Sequence, residues 1–349
     1  MNKNLSRNNH YLSQMYLQAW ADENNRVELY ELLVPNDNVP QWQLKSIKSV
    51  GSFDSFFVRL KSGEEIDDIE KWFNEKYETP AKAALSHAIN GERITVGEWH
   101  CLIDFLACHI VRSPAFIIEK LYNVEMYKDS FQKATYEMAE KFSKMQKEDF
   151  IKERKFFELT HNGKYNDELF PLKLTNLGSF DDDNALIKVE TIVGKQLCLW
   201  VIKYLLENTA KILHKYKWSI ITVDENVVLP TSDNPVVILN YYDENNYNFA
   251  GGWGSQNTNI IFPISPQKIL FTEIGVKSAP RINLNYQMSL LLKKIIVEHS
   301  YRKIISNFKD EEVIKMKPRI VSETEFKIEK QMWVDFQKNY LEKEADYIG

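Results

Sequence analysis

The segment Trp99–Val111, WHCLIDFLACHIV, leaves almost no solvated face when it is wound as a helix. Trp99, Leu102, Ile103, Phe105, Leu106, Ala107, Ile110 and Val111 surround it, so the rest of the chain has to pack around this element. Thr95 and Glu98 stand at capping-box spacing before it, and Pro114 ends or kinks it. His109 and Arg112 are three apart and share one face. A guanidinium in such surroundings is costly unless an acidic or polar group meets it, so an acid from elsewhere must reach Arg112. The plain reading is a structural Arg–Glu pair beside a satisfied core histidine; the sharper one is a functional site.

Around this helix the pattern alternates between types. HYLSQMYLQAW, residues 10–20, has the spacing of a short helix that sets His10 and Gln14 on one face. Val27–Leu33 and Val50–Leu60 have strand character, with Pro35, Asn36, Asp37 and Pro40 marking the connection. Glu64–Asn90 is helical, with Pro80 at a kink or a new start, and 119–159 reads as a long helical arm or hairpin. The stretch 160–184, with Gly163, Pro171, Gly178 and the acidic run Asp181–Asp183, is the best internal linker. A helix over about Val189–Tyr216 then leads into short β-rich runs at 218–223, 227–229, 236–239, 260–264 and 269–273, followed by helices near 286–306 and 323–344. The expected fold is α+β, predominantly helical with a small antiparallel sheet. An N-terminal lobe with its arm (1–160) and a C-terminal α+β lobe (185–349) would share one cleft.

Length bears on that division, because single cores stop growing near roughly 250–300 residues and the chain has 349. A formal net charge of −5 excludes a globally basic nucleic-acid footprint and leaves room only for a local basic patch. The three cysteines, Cys101, Cys108 and Cys198, form no C-x-x-C pair and read as buried thiols in a reducing compartment. Asp104, His109 and Arg112 interrupt one apolar stretch, and Lys195, Lys203 and Glu207 the other, so neither suits a membrane span. No secretory h-region opens the chain, and the expected location is cytoplasmic.

Two further places carry chemistry-bearing residues. Thr231-Ser232-Asp233-Asn234-Pro235 lies between β-like runs, where Asp, Asn and Ser favour turns and Pro235 keeps Asn234 extended. It reads either as a plain Asx-turn or as a rigid sheet-edge mount for a catalytic Asp233. His10, Gln14 and Glu78 complete the set; taken singly, His10 and Glu78 would be surface residues.

In this order, His10-Tyr11-Leu12-Ser13-Gln14-Met15-Tyr16-Leu17, Glu78, the segment Phe105–Pro114 with its Arg112-Ser113-Pro114, and Thr231–Val236 with its Ser-Asp-Asn-Pro resemble an uncharacterised bacterial family, domain of unknown function forty-two thirty-eight. The chain departs from the family pattern with Ser13 in place of a proline and His109 where glutamine is more usual. Glutamine exchanges no protons, so the resemblance implies an orienting, hydrogen-bonding role for His109. It implies no activity.

An imidazole, carboxylates and a fixed guanidinium suit hydrolysis of a phosphodiester or phosphate ester, as in a nuclease or nucleotide hydrolase. In that reading His10, Glu78, Arg112 and Asp233 are catalytic, and Gln14, His109, Ser113, Ser232 and Asn234 bind substrate. The cofactor is open, with a divalent metal the option the carboxylates suit. Partners would be nucleic acid or nucleotide, no membrane, and a second copy through the 119–159 arm. The sequence holds no Walker A loop, G-x-S-x-G elbow, H-E-x-x-H or Rossmann glycine pattern. The loop Gly251–Gly254 among tyrosines fits a hairpin tip better than a base-stacking platform. The alternative is a non-catalytic ligand-binding or sensor module in which the same polar residues hold the fold.

Overall fold

The computed structural model describes residues 8–54, 56–61, 64–118, 136, 140, 144, 172–179, 185–191 and 195–348. The helix Val96–Val111 forms where expected, with both halves of the capping box made between Thr95 and Glu98. Its residues from Leu102 onward, apart from Asp104, are buried, and they anchor the main core together with Tyr11, Tyr16 and Trp20 from the opening segment.

The expectation of a predominantly helical chain with a small antiparallel sheet is overturned. Among the described residues there is a six-stranded sheet, a four-stranded sheet and four two-stranded ribbons. The large sheet gathers the short runs into one surface in the order Asn246–Asn248, Val237–Asp243, Thr258–Ser265, Lys268–Glu273, Ser219–Thr222 and Arg281–Asn283. Its last pair is parallel, so the sheet is mixed. Each run is too short to announce a sheet by local periodicity, and only pairing across the chain reveals its size. Alternation explains how it is covered: Ile220, Val236, Ile260, Phe262 and Leu270 face the core with the Val96–Val111 helix. Their neighbours Ile221, Val237, Ile261 and Ile269 face a second core that includes Leu292, Ile295 and Ile296 of the helix Tyr286–His299.

The four-stranded sheet runs Thr231–Ser232, Lys303–Ser306, Arg26–Glu31, Trp42–Ser46, so it joins strands from both halves of the chain. The run 50–60, expected as one strand, is instead the end of the short helix Ile47–Val50, a strand Ser52–Asp54 paired with Asn8–His10, and the start of another at Arg59. The 119–159 arm lies outside the described residues save 136, 140 and 144. No helix among the described residues is long and apolar enough to cross a membrane.

Candidate functional site

Two acids on one helical rod organise the opening segment. The α-helix Asp68–Phe73 runs into a π turn, Asn74–Glu78, and then into the helix Thr79–Asn90, where Pro80 takes a first-turn position that needs no donor. From Glu70 to Glu78 an unbroken α-helix would rotate to about 80° from alignment. A π turn absorbs about one residue and brings the pair to within about 20°. Both carboxylates then face the chain start and Arg112.

Glu70 receives His10 through two donors, the backbone N–H and Nδ1, each at 3.1 Å, and its other oxygen accepts from the Asn9 amide. The far nitrogen of His10, Nε2, lies 3.1 Å from Gln14 Nε2 and 3.3 Å from the Lys48 carbonyl. The His10 side chain keeps 15% of its surface exposed and Glu70 24%, so water reaches this pair.

Glu78 receives Arg112 Nη1 at 2.6 Å and the Ser13 hydroxyl at 2.8 Å. The other terminal nitrogen of Arg112 donates to His109 Nε2 at 3.0 Å. The ring's Nδ1–H is spent on the Phe105 carbonyl at 2.9 Å, which sets the tautomer. Arg112 itself is 1% exposed and lies over the Phe73 ring, and its Nε has no acceptor among the described residues. Burial opposes its charge, but Cys108 and Glu78 outweigh that and hold the guanidinium pKa above its ordinary value. Burial, with Arg112 alongside, holds His109 well below the usual imidazole range. Burial pushes the Cys108 thiol up to about 12, so it is an inert core residue.

These contacts join the residues picked out at the start of the sequence, near Glu78 and around Arg112. A family model described as protein of unknown function (DUF4238) matches residues 8–311, which takes in every one of them. The chain belongs to this family. No curated protein and no solved structure matches it.

The remaining members of the candidate set sit elsewhere in this DUF4238 chain. Asp233 makes no contact with the Arg112 cluster among the described residues. Its two oxygens accept the backbone N–H groups of Tyr301 and Arg302 at 3.0 and 2.9 Å, clipping the turn that precedes the strand Lys303–Ser306. Burial raises its carboxyl pKa, while the Arg302 N–H and Lys303 work against that rise. Asn234 exchanges hydrogen bonds with His299: its carbonyl accepts from Nδ1 at 3.1 Å and its amide meets Nε2 at 3.3 Å. Ser232 accepts from the Asn234 N–H at 3.2 Å, and Ser113 caps the short helix Pro114–Phe116. The turn is therefore an anchoring device, tied to the opening segment through Thr231 and the Tyr16 hydroxyl at 2.6 Å. Glu70 is the residue that sequence reading missed. No group of three or more His, Cys, Asp or Glu side chains among the described residues could hold a metal ion.

The buried His109 and the partly buried His299 both predict acid lability. Burial first, and then Lys317, lowers His299 to about 4, with only the Asn234 carbonyl working to raise it. A folded value below the unfolded one means that the stabilising contribution is complete above about 6.5 and is lost as pH falls towards 4. For His299 we expect a loss of about 2 kcal/mol between pH 7 and pH 4, after allowing for its partial exposure. Urea midpoints across that range should fall less steeply in His299→Gln; equal slopes would remove His299 from the account.

Proposed function

We propose that the chain is a cytoplasmic hydrolase of a phosphodiester or phosphate ester whose proton-transfer group is His10. The observation that carries this reading is the water-accessible His10–Glu70 pair, in which the carboxylate holds Nδ1–H and leaves Nε2 beside the Gln14 amide and the Lys48 carbonyl. An imidazole oriented by an acid on one nitrogen can take a proton from water, or give one to a leaving oxygen, at the other. A substrate would displace Gln14 from Nε2. Glu78 and Arg112 act here as positioning residues, because Arg112 has both terminal nitrogens engaged and is closed to solvent. Asp233 holds backbone and is assigned no chemical step.

The test is turnover of RNA, DNA and nucleotide substrates, with and without divalent metal, by wild type, His10→Ala and Glu70→Gln of unchanged melting temperature. His10→Ala should lower the rate about 10²–10⁴-fold, the usual contribution of a general acid or base. Wild type without turnover, or variants as fast as wild type, would end the hydrolase reading. That outcome would favour a non-catalytic ligand-binding or sensor module in which the same residues hold the fold, a reading supported by the engagement of both terminal nitrogens of Arg112 and both ring nitrogens of His109.

A further inference from the structure

A cavity of about 350 Å³ opens between the four-stranded sheet, the strand Ser52–Asp54 and the helix Glu323–Ile348. That volume is within the range of small-molecule sites, roughly 300–1,000 Å³. Phe326, Lys330, Trp333 and Val334 enter its wall at helical spacing and so come from one face of that helix. Phe53 and Trp333, with ring centroids 4.8 Å apart, supply its aromatic surface.

The charges around this surface are unequal in what they still have to offer. Asp233 is taken by two backbone N–H groups, Glu329 by Arg302 Nε at 2.6 Å and Glu31 by the Gln43 amide at 3.0 Å, and Asp54, the fourth acid of the lining, is engaged as well. The cations retain free donors. Among the described residues Arg302 spends Nε on Glu329 and neither terminal nitrogen meets an acceptor, while its side chain is 33% exposed. Lys330 makes no ion pair or hydrogen bond among the described residues, although it lines the cavity. Lys303 donates to the Tyr11 hydroxyl and the Val50 carbonyl, which leaves one of its three protons. Lys303 also stands over the Tyr11 and Phe53 rings at 5.6 and 5.5 Å, so the cation–π position beside the aromatic wall already holds a protein ammonium. An incoming cation would meet that charge; an anion would meet unspent donors.

We propose that this cavity binds a compact aromatic anion, a ring that stacks on Trp333 and Phe53 joined to a phosphate or carboxylate held by Arg302 and Lys330. The terminal nitrogens of Arg302 can grip two oxygens, and Lys330 adds a point charge at the rim. The site is separate from the His10–Glu70 pair and does not depend on the hydrolase reading.

Calorimetric titration of the full chain with AMP and with indole-3-acetate separates phosphate from carboxylate as the anionic part. Saturable binding of at least one is expected, weakened about tenfold or more by Arg302→Gln and by Lys330→Gln, as for a lost charge-assisted hydrogen bond. Because Lys330 is exposed and makes no pair among the described residues, its variant tests binding without disturbing the fold. His10→Ala should bind both probes as wild type does. The proposal is overturned if neither probe titrates, if adenosine binds as tightly as AMP where AMP is the ligand, if tetramethylammonium competes, or if His10→Ala abolishes binding.

Discussion

Replacing Arg112 by methionine is expected to lower stability by about 3–5 kcal/mol, the cost of removing one partner from a buried ion pair. The loss has three parts that can be named. Glu78 keeps its Ser13 hydrogen bond but loses the guanidinium at 2.6 Å, and His109 Nε2 loses its strongest donor in a place closed to water. The ridge of contacts against Phe73 goes as well. Arg112→Lys separates charge from shape. A single ammonium cannot span Glu78 and His109 as the fork does, so we expect it to retain the ion pair and still lose about 1–3 kcal/mol through an imidazole Nε2 left with only the long Ser13 N–H contact at 3.5 Å. Urea denaturation of both variants, with Glu78→Gln and the Arg112→Met/Glu78→Gln double variant, gives the coupling directly. If the two single effects simply add, the pair is not the organising contact.

The identity of Arg112's partner shows how far sequence reasoning carries. A guanidinium at the end of an apolar helix needs an acid, and Glu78 was the unexplained acid in a helical context; the capping box at Thr95 was legible on the same local grounds. Glu70 was not, because its use depends on a π turn that shifts the helical phase between residues 70 and 78, and a period of 3.6 places the two acids on different faces. His10 was singled out from the sequence, but its partner Glu70 could not be read without that shift. The extent of the sheets was hidden for another reason. Ser219–Thr222 is four residues long and is held between Lys268–Glu273 and Arg281–Asn283, contacts that no window along the chain contains. The run 260–264 was legible as β-rich despite Pro263, but its place in the middle of the large sheet was not.

Asp233 tests the same distinction between a group that holds and a group that reacts. Its place at the sheet edge fits a catalytic carboxylate, but both its oxygens already accept the backbone N–H groups of two consecutive residues, Tyr301 and Arg302. Asp233→Ala would strand two such donors in a buried turn. At about 1–3 kcal/mol for each unsatisfied group, partly offset by relieving the burial of a charge, the expected net loss is about 3 kcal/mol. Asn in this position keeps one acceptor but turns an amide donor towards the second N–H, so Asp233→Asn should fall between wild type and alanine. Since burial raises the folded carboxyl pKa, its own contribution is fullest below the unfolded value near 3.8 and declines as pH rises through the folded one. The deficit of Asp233→Ala should therefore be smaller at pH 7 than at the acid end of the range in which the protein stays folded. Chemical denaturation at two pH values, alongside the turnover screen, decides the role. Stability lost in this order, with any remaining activity tracking the folded fraction, marks Asp233 as the clip of the turn. An Asp233→Asn protein with an unchanged melting temperature and no turnover would move it into the reaction instead.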